Sequence, residues 1–376
     1  RADAPAGGPR VIISPVLVGG PSNQIFQAKE AVMMAAGCAA PVRLALPPLL
    51  PHFTAARGGD APTPLSRFFE LVDPELLGEE GGLLTSPGLA GSWPRDECEF
   101  YYSAGPTAQK WAQPPGTPGD LALDHCGGFA LQFQARTRSA LSRNNPYVPS
   151  PRPLCARAAA LLARAAGPGG AAGPAFVLAC NLEEPVARHG FSSMGLDHPW
   201  IRTARALRLR HPAPLAAPTL TLQMRVPDYV LVGGKGRDRL PKGYSCLCMH
   251  KDCKHCLPEA HVVAPTTRIV AFVRDQLRTS SAMLGIKAVH VMTNSAHLGS
   301  KVVVSLEAAG YAVTVSGDAS LASLMHDYDV AVQSDVFWGM RSSSIATNIV
   351  HARLAEGKPR ESIVYWETLW RETAEA

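Results

Sequence analysis

The sequence predicts an α/β protein built from two doubly wound domains. Three observations carry that reading: a strand–turn–helix–strand opening, a Gly/Pro-rich break near the middle, and strand–helix alternation after it. The length agrees. A chain of 376 residues exceeds one ordinary core and suits two domains of about 150–200 residues each.

The first element is the apolar run Val-Ile-Ile-Ser-Pro-Val-Leu-Val at 11–18, which reads as a buried strand. It ends in Gly19-Gly20-Pro21-Ser22-Asn23-Gln24, and residues 25–36 then place Ile25, Phe26, Ala28, Val32 and Met33 near helical spacing. A second strand at 42–46 is stopped by Pro47-Pro48. Residues 51–118 are irregular apart from one expected helix at 65–77, and a further helix is expected at 153–166. The run Gly-Pro-Gly-Gly-Ala-Ala-Gly-Pro at 167–174 is the best linker, so the domain boundary is placed there. Beyond it, strands are expected at 176–179, 219–224, 288–292, 312–315 and 330–332. Helices are expected at 266–284, 298–309 and 321–326. Such alternation implies a second parallel sheet, helices on both faces, and a ligand cleft at the carboxyl ends of the strands.

Composition narrows the function. Hydrophobic residues make up 46%, which is ordinary for a folded globular chain and excludes wholesale disorder. The net charge of +5 is spread along the sequence. It suits an enzyme handling an anionic nucleotide and is too diffuse for DNA or RNA. The arginines of 202–210 read as one solvated helix face. No apolar run approaches the ~18–20 residues of a membrane span. The chain begins at Arg1 rather than Met, so any membrane attachment is expected through a segment outside it. Nine cysteines, with Cys246, Cys248, Cys253 and Cys256 crowded together, favour an oxidising compartment.

Three turns suit an anion. The first is Gly19-Gly20-Pro21-Ser22-Asn23, where a helix N-terminus offers free amides and the positive end of its dipole. It lacks the third glycine of a Rossmann fingerprint and the Lys-Ser/Thr of a P-loop, and a structural turn explains it as well. The second is Gln223-Met224-Arg225-Val226-Pro227-Asp228 at a strand end. Arg225 there can hold a diphosphate in two-point contact, or form a surface ion pair with Asp228. The third runs from Ser334-Asp335-Val336-Phe337 through Gly339 to Ser342, Ser343 and Ser344, where serines can cap a helix, bind a phosphate, or both.

Taken in order, strand–Gly-Gly-x-x-Asn-Gln–helix, Leu-x-x-Arg, Met-Thr-Asn after a strand and Ser-Asp-Val-Phe-x-Gly with Ser-Ser, these motifs resemble the GDP-fucose protein O-fucosyltransferases. That family has the GT-B architecture of two Rossmann-like domains facing across a cleft. The resemblance spans about residues 11–367 and is weakest over 51–120. It implies a donor site formed by Gly20, Pro21, Ser22, Asn23, Gln223, Arg225, Thr293, Asn294, Asp327, Ser342, Ser343 and Ser344, with Arg225 catalytic. Leu46-Pro47-Pro48 also matches. Gln223 stands where the family has histidine, Asn294 where it has aspartate, and Ile345 where it has an aromatic residue. Asp327 is kept as a candidate partner of the guanine edge.

The resemblance further implies an acceptor-side domain at 1–170, a nucleotide-sugar domain at 171–352 and a C-terminal helix at 353–376 packed back on the first domain. The expected reaction is an inverting, metal-independent transfer of fucose from GDP-fucose to a Ser/Thr hydroxyl of a protein, in the lumen of the endoplasmic reticulum or Golgi. Neither a cofactor nor a metal is expected, and the partners are a nucleotide sugar and a protein acceptor. No general base stands out. Disulfides among Cys246, Cys248, Cys253 and Cys256 follow from the resemblance; by residue type zinc or free thiols stay open. Asp327-Tyr328-Asp329 matches a metal-binding Asp-x-Asp but adjoins an apolar run, and Asp124-His125-Cys126 reads as structural. A glycan acceptor, another nucleotide sugar, or a non-catalytic binding module on the same fold are the alternatives.

Overall fold

A computed structural model describes residues 11–15, 21–36, 42–45, 49, 63, 65–72, 83–84, 175–179, 197–211, 213–226, 244–247, 262–280, 285–316, 320–340, 343–365 and 368–371. Gly19, Gly20, Leu46-Pro47-Pro48, the expected helix at 153–166, the Gly/Pro run, Asp124-His125-Cys126, Cys248, Cys253, Cys256 and Ser342 lie outside the described residues. The chain divides into two compact units, residues 1–185 with 193–210, and residues 186–192 with 211–376.

In the first unit, β1 (Val11–Pro15), β2 (Val42–Ala45), β4 (Leu83–Leu84) and β5 (Ala175–Ala179) form a sheet of order β4-β2-β1-β5. All its pairings are parallel. Helix α1 (Pro21–Ala36) follows β1 and buries Ile25, Ala28, Ala31 and Val32, an apolar stripe at helical spacing. Lys29 is buried with them, and burial lowers its pKa to about 7. Phe26 meets Trp200 of α2 (Pro199–Ala206) edge-on at 5.8 Å.

Two local expectations change here. Instead of a helix at 65–77, a short 3-10 turn at Leu65–Arg67 precedes β3 (Phe69–Leu71), which pairs antiparallel with β6 (Leu207–Leu209). Cross-strand pairing of Phe69 with Leu209 wins over the weak helical spacing. The arginine stripe is likewise not one helix face, because α2 gives way to β6. Arg202, Arg205 and Arg208 are nevertheless exposed, and Arg208 sits 3.1 Å from Glu70.

β5 was expected to open the second domain, but it pairs with β1 from Val11↔Ala175 to Pro15↔Ala179. The division therefore falls near residue 210 rather than at 170.

The second unit is a five-stranded sheet of order β11-β10-β7-β12-β13, built from β7 (Thr219–Met224), β10 (Ala288–Thr293), β11 (Ala312–Val315), β12 (Val336–Gly339) and β13 (Ile363–Tyr365). Every pairing is parallel. Counted in chain order the sheet runs 3-2-1-4-5, the doubly wound order. A hairpin of β8 (Tyr244–Leu247) and β9 (Val262–Pro265) and helix α3 (Thr266–Thr279) connect β7 to β10; α4 (Ala296–Glu307), α5 (Leu321–Gln333) and α6 (Ser344–Ala355) make the remaining crossovers.

β7 is buried at all six positions, as expected of a central parallel strand covered on both faces. Register places Leu220 and Leu222 beside Val289 and Val291 on one flank and Val336 and Trp338 on the other. These residues pack with Ile269, Val273 and Leu277 of α3 and Leu298, Val302 and Leu306 of α4. At the close of α4, Gly310 has φ 91° and the Tyr311 N–H returns to the Leu306 carbonyl, the left-handed stop that a glycine permits.

Val330–Val332 was expected as a strand, but it belongs to α5, and the strand is Val336–Gly339. Tyr328, Ala331 and Val332 are fully buried, and a short apolar run cannot by itself separate a buried helix from a buried strand. The described part of 353–376 lies in the second unit. β13 pairs with β12, and Trp370 joins the core, 4.9 Å from the Phe272 ring with the Arg268 guanidinium 5.4 Å from its own. Among the described residues, no helix is long and apolar enough to cross a membrane.

Candidate functional site

In the second sheet the chain leaves β7 toward β10 and β11, then resumes on the other side with β12 and β13. Doubly wound sheets bind ligands outside the carboxyl ends of the strands at such a switch point. Arg225 directly follows β7 and is half-buried there. Thr293 and Asn294 close β10, Gly339 and Met340 close β12, and Ser343 and Ser344 start α6.

Hydrogen bonds tie these ends together. The Gln223 side chain is buried. It accepts from the Met340 N–H at 3.0 Å through Oε1 and donates to Ser343 Oγ at 2.7 Å through Nε2. Met340 Sδ in turn accepts the Arg225 N–H at 3.0 Å. On the opposite flank the Asn294 carboxamide accepts from the Val226 N–H at 2.8 Å and donates to the Val226 carbonyl at 2.7 Å. Thr293 receives support from behind, its N–H donating to Ser316 Oγ at 3.1 Å.

Ser343 is the N-cap of α6, accepting the Ala346 N–H at 3.5 Å. The cap satisfies one of the amides that a helix start leaves without an intrahelical partner; the others keep the positive end of the dipole. No acidic residue lies in the first turn of α6. Gly339 leaves room for the Phe337 ring of its own strand and for Ala346 of α6: a Cβ there would stand 2.7 Å from Phe337 Cε1 and 3.3 Å from Ala346 Cβ.

Asp327 is bonded within its own unit. It is buried in α5, with Oδ1 2.9 Å from His290 Nε2 and Oδ2 accepting from Ser316 Oγ at 2.8 Å. His290 Nδ1 lies 2.8 Å from Thr314 Oγ1. Each carboxylate oxygen thus has a partner inside the unit. Asp329, the other half of the Asp-x-Asp, meets His211 at 2.5 Å and Gln333 at 2.8 Å. The two carboxylates have separate partners. Among the described residues, no cluster of three metal-ligating side chains occurs.

The Ser-Asp-Val-Phe motif works at the far end of the sheet. Asp335 accepts from the Thr219 N–H through Oδ2 at 2.8 Å, and its own N–H bonds the Thr219 carbonyl, so it joins the starts of β7 and β12.

Pro21, Ser22 and Asn23 lie in the first unit as the opening turn of α1, which carries no acidic residue. The structure thus brings Gln223, Arg225, Thr293, Asn294, Ser343 and Ser344 to one edge of the second sheet. Met340, His290 and Ser316 complete the network without having been expected; a histidine inside the apolar strand Ala-Val-His-Val-Met-Thr was the only visible signal.

No family model matches the sequence, and no curated protein matches it. Solved structures do. POFUT1 in complex with GDP-fucose aligns with a TM-score of 0.50 at 14% identity, over 96% of this chain and 99% of that one. The fold is similar to that of POFUT1. The fucosyltransferase NodZ from Bradyrhizobium aligns with a TM-score of 0.40 at 10% identity, over 92% of this chain and 93% of that one.

Proposed function

We propose that this protein is a glycosyltransferase of GT-B type, distantly related to the GDP-fucose protein O-fucosyltransferases. It binds a GDP-sugar at the switch point of the second unit and transfers fucose to a Ser/Thr hydroxyl of a protein. The observation that carries the reading is Arg225 at the end of the central strand, its backbone linked through Met340 and Gln223 to Ser343, the N-cap of α6. A guanidinium and a helix dipole at one strand edge suit a diphosphate. The neighbouring POFUT1 structure, which holds GDP-fucose, makes that nucleotide sugar the first candidate.

In the reaction, the bond between the anomeric carbon and the β-phosphate oxygen breaks, and its electron pair stays with the diphosphate. Arg225, with Ser342, Ser344 and the α6 amides, stabilises the charge developing there. The acceptor hydroxyl attacks the opposite face, its proton passing to the released diphosphate or to solvent. Configuration inverts, and no metal is required. A luminal setting accords with the nine cysteines, with Cys246, Cys248, Cys253 and Cys256 as disulfide candidates.

The test is GDP release from GDP-fucose compared with other GDP- and UDP-sugars. Preferential turnover of GDP-fucose that Arg225→Ala abolishes supports the reading; full turnover by that variant contradicts it. A second reading, a nucleotide-free binding module, rests on the inward engagement of the Gln223 and Asn294 carboxamides. It predicts a melting temperature that GDP leaves unchanged.

A further inference from the structure

We propose that Asn294 and Gln223 are positioning residues, which hold Arg225 for an anion through its flanking backbone and do not bind the ligand themselves. The proposal rests on the nucleotide-diphosphate reading of this strand edge.

Arg225 stands just past the last residue of β7, where ladder pairing no longer fixes the chain. Side chains from the two neighbouring strand ends replace the ladder. Asn294, following β10, makes a two-point contact with Val226 that imitates a peptide group, at 2.8 and 2.7 Å. Met340, following β12, accepts the Arg225 N–H at 3.0 Å. Gln223 locks Met340 in place through its N–H and extends the chain of bonds to Ser343 Oγ. The result is one hydrogen-bonded girdle, Asn294–Val226–Arg225–Met340–Gln223–Ser343, across three strand ends.

A carboxamide serves both girdle positions because each needs a donor and an acceptor at once. A carboxylate at 294 would set an oxygen against the Val226 carbonyl, and the donor and acceptor of an imidazole at 223 would point away from each other across a rigid ring. The girdle leaves Arg225 in place before a ligand arrives, which lowers the ordering cost of binding. The two-point contact from Asn294 is worth about tenfold in affinity if its loss frees the Arg225 segment.

The test is a double-mutant cycle on GDP affinity, measured by calorimetry with the full chain. Asn294→Ala is expected to weaken GDP about tenfold in the wild-type background and to cost nothing further once Arg225→Ala is present. Additive losses would show that Asn294 contacts the ligand directly or acts only on stability, and would overturn the proposal. Should Asn294→Ala fail to fold, Gln223→Met probes the opposite flank under the same criterion, with thermal melts reporting the folded fraction. Wild-type protein that does not bind GDP overturns the diphosphate reading and this proposal with it; wild-type binding with additive costs overturns this proposal alone.

Discussion

Arg225 and His211 carry the sharpest residue-level consequences. Arg225→Lys keeps a positive charge but loses the planar fork, so GDP affinity is expected to fall by about tenfold, less than for Arg225→Ala, in a calorimetric titration. His211 is held by Asp329 at 2.5 Å and Glu356 at 2.8 Å, and these bonds raise its pKa to about 9, Asp329 first. Because the folded value lies above the unfolded one, this stabilisation is complete below about pH 6.5. It disappears as pH rises through about 9. Urea midpoints for His211→Asn should therefore approach those of wild type at pH 10 and fall below them at pH 6. That Arg225 follows a buried central strand was legible from the apolar run before it. The His211 clamp was not, because its partners come from residues far along the chain.

Elements hold the site through close packing at their ends. Gly339 lies between the Phe337 ring and Ala346. Gly339→Ala should displace the Phe337 ring and press on Ala346 of α6, lowering stability by about 1–3 kcal/mol in chemical denaturation and weakening GDP together with it. Arg353 of α6 is a contrasting case. Its buried guanidinium donates to the carbonyls of Ala331, Ser334 and Asp335 and to Ser362 Oγ, and burial lowers its pKa to about 10. Arg353→Met strands those carbonyls and should cost about 3 kcal/mol or more, with the GDP affinity of the folded fraction unchanged. Strands β7 and β10 and helices α3 and α4 were readable from apolar runs and spacing. The misread strand at 330–332 shows the limit: periodicity did not say that α5 would bury this stretch against the sheet.

For the whole molecule, sheet order matters more than any single motif. Both sheets place their first strand inside the order, β4-β2-β1-β5 in one unit and β11-β10-β7-β12-β13 in the other. Alternating elements predicted parallel sheets, but sequence spacing could not assign β5 to the first sheet; that membership is fixed by its hydrogen bonds to β1. The motif residues could likewise be picked out along the chain, while their hydrogen-bond partners could not. Asp327 and Asp335 brace the second unit internally, and the carboxamides of Gln223 and Asn294 connect strand ends. For the proposed diphosphate site this leaves Arg225 with the start of α6, and the account stands on that pair. GDP that binds the native state raises stability by about 2.7 kcal/mol at a hundred times its dissociation constant. The most direct test is the melting temperature of wild-type and Arg225→Ala protein with and without GDP. A GDP-dependent rise in wild type that the variant loses is the predicted result; no rise in wild type, or an equal rise in both, contradicts it.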